Sequence, residues 1–318
     1  TLLILYFNNE REKDTINTGQ TNTEGGDNMK KDDKTNEDGN INGNSKPEDS
    51  RSEIDAMADA ANRKDMSVYR DPESAGTFKL IGYLFNVSDE AIGQMRWDKL
   101  THINYAFAIP TQEGTIRGLT EDKLVKKLIS TAHDNKVKVS ISVGGWSYNE
   151  VELEATFVKA TNTDGKCQQL SQDILKLVDD YGFDGVDMDW EYPRKGISEH
   201  QYEYFMTLLR KGLFDRNKYL TAAVVGCGST GAGITDYALD LLDWINVMAY
   251  DGDNGAGHSP FSYAVDCGEY WIKTRGVDKD RVVLGVPFYA RPSWGSYADI
   301  VAVDETAANK DTVETSAS

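Results

Sequence analysis

The sequence predicts an α/β fold built on a largely parallel sheet, and three observations carry that prediction. From Phe78 onward, short apolar runs alternate with longer amphipathic stretches. The runs are nearly continuous in apolar residues, as strands covered on both faces require. Segments with helical periodicity lie between several of them. A doubly wound sheet and a closed barrel share this rhythm, so periodicity leaves both open. A chain of 318 residues accommodates either, a barrel needing about 250 residues.

In chain order, the opening "TLLILYF" carries no initiating methionine, so the start of the protein is expected to lie upstream. Seven apolar residues fall well short of the about 20 that span a bilayer, but they suit the core of a signal peptide. Residues 1–7 are therefore read as a signal-peptide remnant, and no cysteine follows closely enough for a lipid anchor. Residues 8–75 are rich in Asn, Asp, Glu, Lys, Gly, Thr and Ser. Such a segment cannot bury enough apolar surface to offset its ordering entropy and is expected to be a disordered tether. Its "KTNEDGNINGNS" resembles a calcium loop only superficially: with Gly39 at the turn, Lys34 falls where the first acidic ligand belongs. Residues 76–318 are assigned to one domain. Its strand-like runs are "KLIGYLF", "HINYAF", "VKVSISVGG", "FDGVDMDW", "YLTAAVV", "WINVMAY" and "RVVLGVPFYA", with helical patterns over 121–135, 167–181 and 199–214.

The formal net charge of -18 argues against nucleic acid or an anionic membrane face as partner and favours a neutral or weakly cationic substrate. The three cysteines, Cys167, Cys227 and Cys267, lack CxxC spacing, and the four histidines have no ligand spacing. Neither a disulfide scaffold nor a metal site is implied.

The chemistry concentrates in "FDGVDMDWEYP" at 183–193. On a strand, Asp187, Asp189 and Glu191 share one face, with Val186, Met188 and Trp190 on the other. Carboxylates this close cannot all ionise cheaply, so at least one holds a proton near neutral pH. Glu191, nearest the carboxyl end of the strand, is the expected general acid. Exposed surface acids would not be backed by three large apolar residues, and calcium sites usually draw on loops.

"DGVDMDWEYP" resembles the DxxDxDxE signature of the family 18 glycoside hydrolases, the chitinases and their relatives. "SVGG" at 142–145 resembles the family's SxGG on the third strand, "MAYD" at 248–251 its MxYD on the sixth, and "GVPFYAR" at 285–291 its seventh-strand motif. The resemblance covers roughly 78–294 and implies a TIM (β/α)8-type barrel with its active site at the carboxyl ends of the strands. It also implies a retaining, substrate-assisted reaction. In that scheme Glu191 protonates the glycosidic oxygen while the sugar's own 2-acetamido oxygen attacks the anomeric carbon. Asp189 orients the acetamido N–H, Asp187 shares a proton behind it, and Tyr250 binds the acetamido oxygen. Asp251, next to Met248 and Tyr250 in the MxYD match, supports the same subsite. Tyr83 and Ser142 are implied as donors to the Asp pair, whereas Asp184 is read as structural. Trp146 and Tyr192 are expected to face sugar rings and Arg291 to reach substrate hydroxyls or form an ion pair, while Phe107 is read as core and Trp294 as either.

Two glycine-rich stretches are decoys. "GCGSTG" fits GxGxxG, but no clear helix follows directly, and "DGDNGAGHSP" lacks the Lys and Ser or Thr of a phosphate loop. It reads instead as an active-site loop. After "PFYARPSWG" the chain offers no eighth strand with the tryptophan that the family would supply, so the barrel is expected to lack that strand and to present open edges. The expectation is a secreted or cell-surface chitinase that uses no cofactor and acts as a monomer on an N-acetylglucosamine-containing glycan. An endo-β-N-acetylglucosaminidase, a peptidoglycan hydrolase, a chitin-binding lectin or an inactive fragment are the alternatives.

Overall fold

The computed structural model describes residues 2–7, 78–85 and 87–310. The polar segment 8–75, expected as a tether, lies outside the described residues.

The seven runs become seven parallel strands: β2 (Leu80–Phe85), β3 (His102–Ala108), β4 (Lys138–Gly144), β7 (Gly185–Asp189), β8 (Tyr219–Val225), β9 (Trp244–Met248) and β10 (Val282–Val286). A two-residue hairpin, β5 (Ser147–Tyr148) with β6 (Val151–Glu152), follows β4. No strand follows β10 among the described residues. The wall is nevertheless closed, which differs from the open edges expected. The apolar opening forms β1 (Leu2–Phe7), which pairs parallel with β10, Leu2 opposite Leu284, and with β2, Leu2 opposite Leu80. The order around the barrel is β1-β10-β9-β8-β7-β4-β3-β2. The reason is that β10 and β2 would each present a row of unpaired backbone groups, and one short extended segment satisfies both rows. The six residues offered by the sequence as part of a targeting remnant thus stand in the eighth place of the wall.

Helices cover the outside. Helix α1 (Asp122–Asp134) buries Val125, Leu128, Ile129 and Ala132, the i, i+3, i+4, i+7 stripe of an amphipathic helix. Helix α2 (Asp164–Tyr181) begins at Thr163, whose side chain accepts from the Lys166 N–H, and ends at Gly182 in the left-handed conformation. That glycine turns the chain directly into Phe183 and β7. Helix α3 (Glu199–Phe214) is pinned by a buried ion pair, Arg210 to Asp243 at 2.7 Å, and Asp243 also accepts from the Leu220 N–H.

These contacts separate two cores. The outward residues of β7, Val186 and Met188, join Trp190 and the helices in the larger one, where Trp190 stacks on Phe157 at 4.7 Å. The barrel interior holds a small apolar floor of Ile81, Tyr83, Tyr219, Trp244 and Val283. Asn104, Ser140, Ser142, Asp187, Thr221 and Asn246, all buried, form a polar layer within the barrel. Polar groups in such a place cost stability unless they pair with one another, and their pairing defines the site.

Candidate active site

Asp187 is the hub of that layer. Its Oδ2 accepts from Tyr83 Oη at 2.6 Å and Ser142 Oγ at 3.0 Å, and its Oδ1 from Thr221 Oγ1 at 2.6 Å and Asn246 Nδ2 at 2.9 Å. Four strands thus converge on one carboxylate. Burial raises its pKa, while the four donors pull against that rise by stabilising the ionised form.

Asp189, one pleat higher, has no comparable support. It is buried, and its Oδ1 has no hydrogen-bond partner. Burial first, and then the charges of Glu191 and Asp187, push its pKa well above the ordinary range. Of the two aspartates Asp189 is therefore the one pushed further toward its protonated form, whereas both oxygens of Asp187 are doubly satisfied by donors that favour the anion. Glu191 lies just beyond the end of β7. Burial is the main cause raising its pKa to about 7; the Tyr192 hydrogen bond lowers it and the Asp251 charge raises it.

The glycines of "SVGG" explain how this stack is held. Gly144 has φ +116°, and a Cβ there would fall on the Asp189 carbonyl oxygen and lie 2.8 Å from the Phe157 ring. The next residue, Gly145, donates its N–H to that same carbonyl at 2.8 Å. Only a residue without a side chain lets the end of β4 approach the main chain of Asp189 this closely. Gly144→Ala is therefore expected to lower stability by about 2 kcal/mol or more, measurable as a reduced urea midpoint with an unchanged slope.

The other sequence-predicted residues separate into two groups. Tyr83 and Ser142 are buried beneath the cleft and spend their hydroxyls on Asp187. Asp184 sits apart at the start of β7, accepting from the Val139 N–H and His133. At the mouth, Tyr250 is half-buried, and burial, then the Asp189 charge, raises its phenol well above the usual range. Asp251 carries positive φ, accepts from Tyr289 Oη at 2.5 Å and pairs with Arg291 Nε at 2.8 Å. Of the two roles expected for Arg291, the ion pair is the one formed here, and its guanidinium also lies 3.4 Å from the centre of the Trp294 ring. Trp294 stacks on Tyr289, and Trp146, ahead of the short hairpin, is exposed. Tyr192 and Met248 are half-buried, and Phe107 is half-buried against Phe85.

Thr221 and Asn246 were missed by the sequence reading, as were Tyr289 and His258. A signal for the first two existed: each is a lone polar residue inside an apolar strand, "YLTAAVV" and "WINVM", at an inward position. Tyr289 and His258 carried no such signal, because their contacts join loops distant in sequence.

The sequence model of the glycosyl hydrolases family 18 matches residues 79–315. A chitinase-like effector of Moniliophthora roreri is 29% identical over 231 residues, covering 63% of this chain and 55% of its own length. Chitinase B of Serratia marcescens is 28% identical over 252 residues, covering 61% and 50%. The chain thus spans about half the length of these curated relatives. Among solved structures, a family 18 chitinase, ChiB, from the chitin utilization locus of Flavobacterium johnsoniae aligns with a TM-score of 0.64 at 30% identity, covering 74% of this chain and 78% of that one.

Proposed function

This chain belongs to family 18 of the glycosyl hydrolases, and from that premise we propose that it hydrolyses the β-1,4 bonds of chitin or chito-oligosaccharides with retention, using the substrate's acetamido group as nucleophile. The observation that carries the reading is the pairing of Glu191, half-protonated near pH 7, with the partnerless Oδ1 of Asp189. The first supplies a proton to a leaving oxygen at neutral pH. The second is an acceptor for an acetamido N–H, the kind of group a buried orphan oxygen requires.

Two carboxyl groups beside a scissile bond could also serve a double-displacement reaction with a protein nucleophile. Asp189 is unsuited to that role, because burial and two neighbouring carboxylates disfavour its ionised, nucleophilic form. Tyr250 donates to the acetamido oxygen, and Asp187, whose four donors favour its anionic form, stabilises the positive charge that develops as the glycosidic bond breaks. Tyr83, Ser142, Thr221 and Asn246 act through Asp187, fixing its position and charge. Trp146 and Tyr192 contribute aromatic surface to sugar rings, and Met248 lines the floor beside Tyr250. No helix among the described residues is long and apolar enough to cross a membrane, and a secreted or cell-surface location fits a polymeric extracellular substrate.

The test is a proton NMR time course with chitotetraose. The β-anomer is expected to appear first and to mutarotate slowly, as retention demands. Initial release of the α-anomer would overturn the mechanism; binding without cleavage would favour the lectin alternative. Cleavage confined to glycopeptide N-glycans or to peptidoglycan would move the substrate elsewhere in the family.

A further inference from the structure

The stretch after β8 that begins "GCGSTG" and mimics a nucleotide fingerprint touches the piece of chain that carries the general acid. The ladder of β7 ends at Asp189 on the β4 side and at Met188 on the β8 side. Glu191 therefore lies beyond the sheet, on a bridge with an anchor at each end. Before it, Trp190 is buried and stacked on Phe157 at 4.7 Å. After it, Pro193 is buried against Gly233, the last residue of a 3-10 turn (Ser229–Gly233). A Cβ on Gly233 would fall 1.8 Å from the Pro193 carbonyl oxygen, 2.5 Å from its carbonyl carbon and 3.0 Å from the Arg194 nitrogen. All three are main-chain atoms, so no side chain can swing aside to make room.

The turn is held from behind. Trp271, buried just past the helix α4 (Phe261–Glu269), donates its Nε1–H to the carbonyls of Val225 and Gly226, both at 3.0 Å. Arg275 donates from one terminal nitrogen to the Gly231 carbonyl, and from the other to the Ile234 carbonyl at 2.5 Å and to Asp236 Oδ1 at 3.1 Å. Its fork thus grips the main chain on both sides of Gly233. We propose that Gly233 is a positioning residue for the general acid: its bare Cα is the seat of the Pro193 carbonyl, and the turn clamped by Arg275 thereby sets where the Glu191 carboxyl stands relative to Asp189. This rests on the reading of Glu191 as the proton donor. A side chain at position 233 pushes against a clamped turn on one side and a bridge outside the sheet on the other, and the bridge yields.

The leaving group tells a displaced acid from a weakened fold. A sugar oxygen must be protonated as its bond breaks, whereas nitrophenolate, a far weaker base, departs without that help. In Gly233→Ala, kcat/KM, which reports the bond-breaking step, is expected to fall by about 10- to 100-fold on chitotetraose, the cost of a misplacement of about 1 Å. On the nitrophenyl glycoside of chitobiose the loss should stay below about threefold. A loss of folded protein lowers both rates alike, so equal losses overturn the proposal, as does a variant that cleaves chitotetraose like the parent. Arg275→Lys keeps the charge and adds no volume but cannot grip two carbonyls in a fork, and it tests the same seat if Gly233→Ala does not accumulate. Its expected loss is about threefold to tenfold, on chitotetraose alone. Crystals of the variant read the link without turnover: the Glu191 carboxyl should be displaced relative to Asp189, with Asp187 and its four donors in place. An unmoved carboxyl overturns the proposal. A displaced carboxyl in a protein whose Glu191→Gln variant loses equally on both substrates refutes the acid reading and leaves the seat standing.

Discussion

Glu191→Gln is expected to lower kcat on a chito-oligosaccharide by about 10²- to 10⁴-fold, the usual contribution of a positioned general acid. Binding, followed by titration calorimetry, should stay within a few fold, because the amide keeps the volume of the side chain and loses only the proton donor. The parent should show an alkaline limb of kcat/KM near pH 7, since the protonated form of Glu191 is present below about 7 and disappears as pH rises through that value. The limb has a counterpart in stability. An acid whose folded pKa lies above its ordinary value of 4.5 destabilises the fold as it ionises, so stability declines between about 4.5 and 7. At 1.36 kcal/mol per pH unit, that decline amounts to about 3 kcal/mol. Chemical denaturation at pH 4.5 and pH 8 should show it in the parent and a smaller difference in Glu191→Gln. A parent whose activity is flat through pH 7 would remove Glu191 from the role of acid.

The second large effect is expected at Asp187. Asp187→Asn keeps the shape but turns one of two acceptor oxygens into a donor facing two other donors. The amide should direct its NH2 toward Tyr83 and Ser142, whose hydroxyls can rotate and accept, because Asn246 Nδ2 can only donate. Even so, a layer built to receive an anion loses its charge and part of its bonding. A stability loss of about 1–3 kcal/mol follows from leaving buried polar groups poorly paired. The effect on kcat should be larger than that figure implies, because the charge that stabilises a developing oxocarbenium ion is gone. Circular dichroism melts and kcat measured on the same preparation check both. A variant that is fully active and equally stable would show that the four-donor arrangement contributes nothing.

The pair of strand aspartates was legible because period-two alternation is strict: once 185–189 is a strand, Asp187 and Asp189 must share a face, whatever the rest of the fold does. The helices at 121–135, 167–181 and 199–214 were legible within three residues for the same reason, each carrying a 3.6-residue stripe. Less was readable wherever a contact joins distant segments. Thr221 and Asn246 looked like isolated polar residues in apolar strands, and nothing local says that both point at Asp187. The contacts of His258 and Tyr289 with Asp251 span 7 and 38 residues, and such loop meetings depend on where the barrel delivers its ends.

By itself, then, the sequence determined the strand-and-helix rhythm, the face that Asp187 and Asp189 share and the family to which its motifs belong, all of which are local or periodic properties. Tertiary structure alone decided which aspartate receives four donors and which keeps a bare oxygen, since that depends on the neighbours each strand acquires in the barrel. It also decided what stands between β10 and β2. An apolar hexapeptide can pair as a strand wherever two unpaired edges stand at the right spacing, and those edges exist only once the other seven strands are in place.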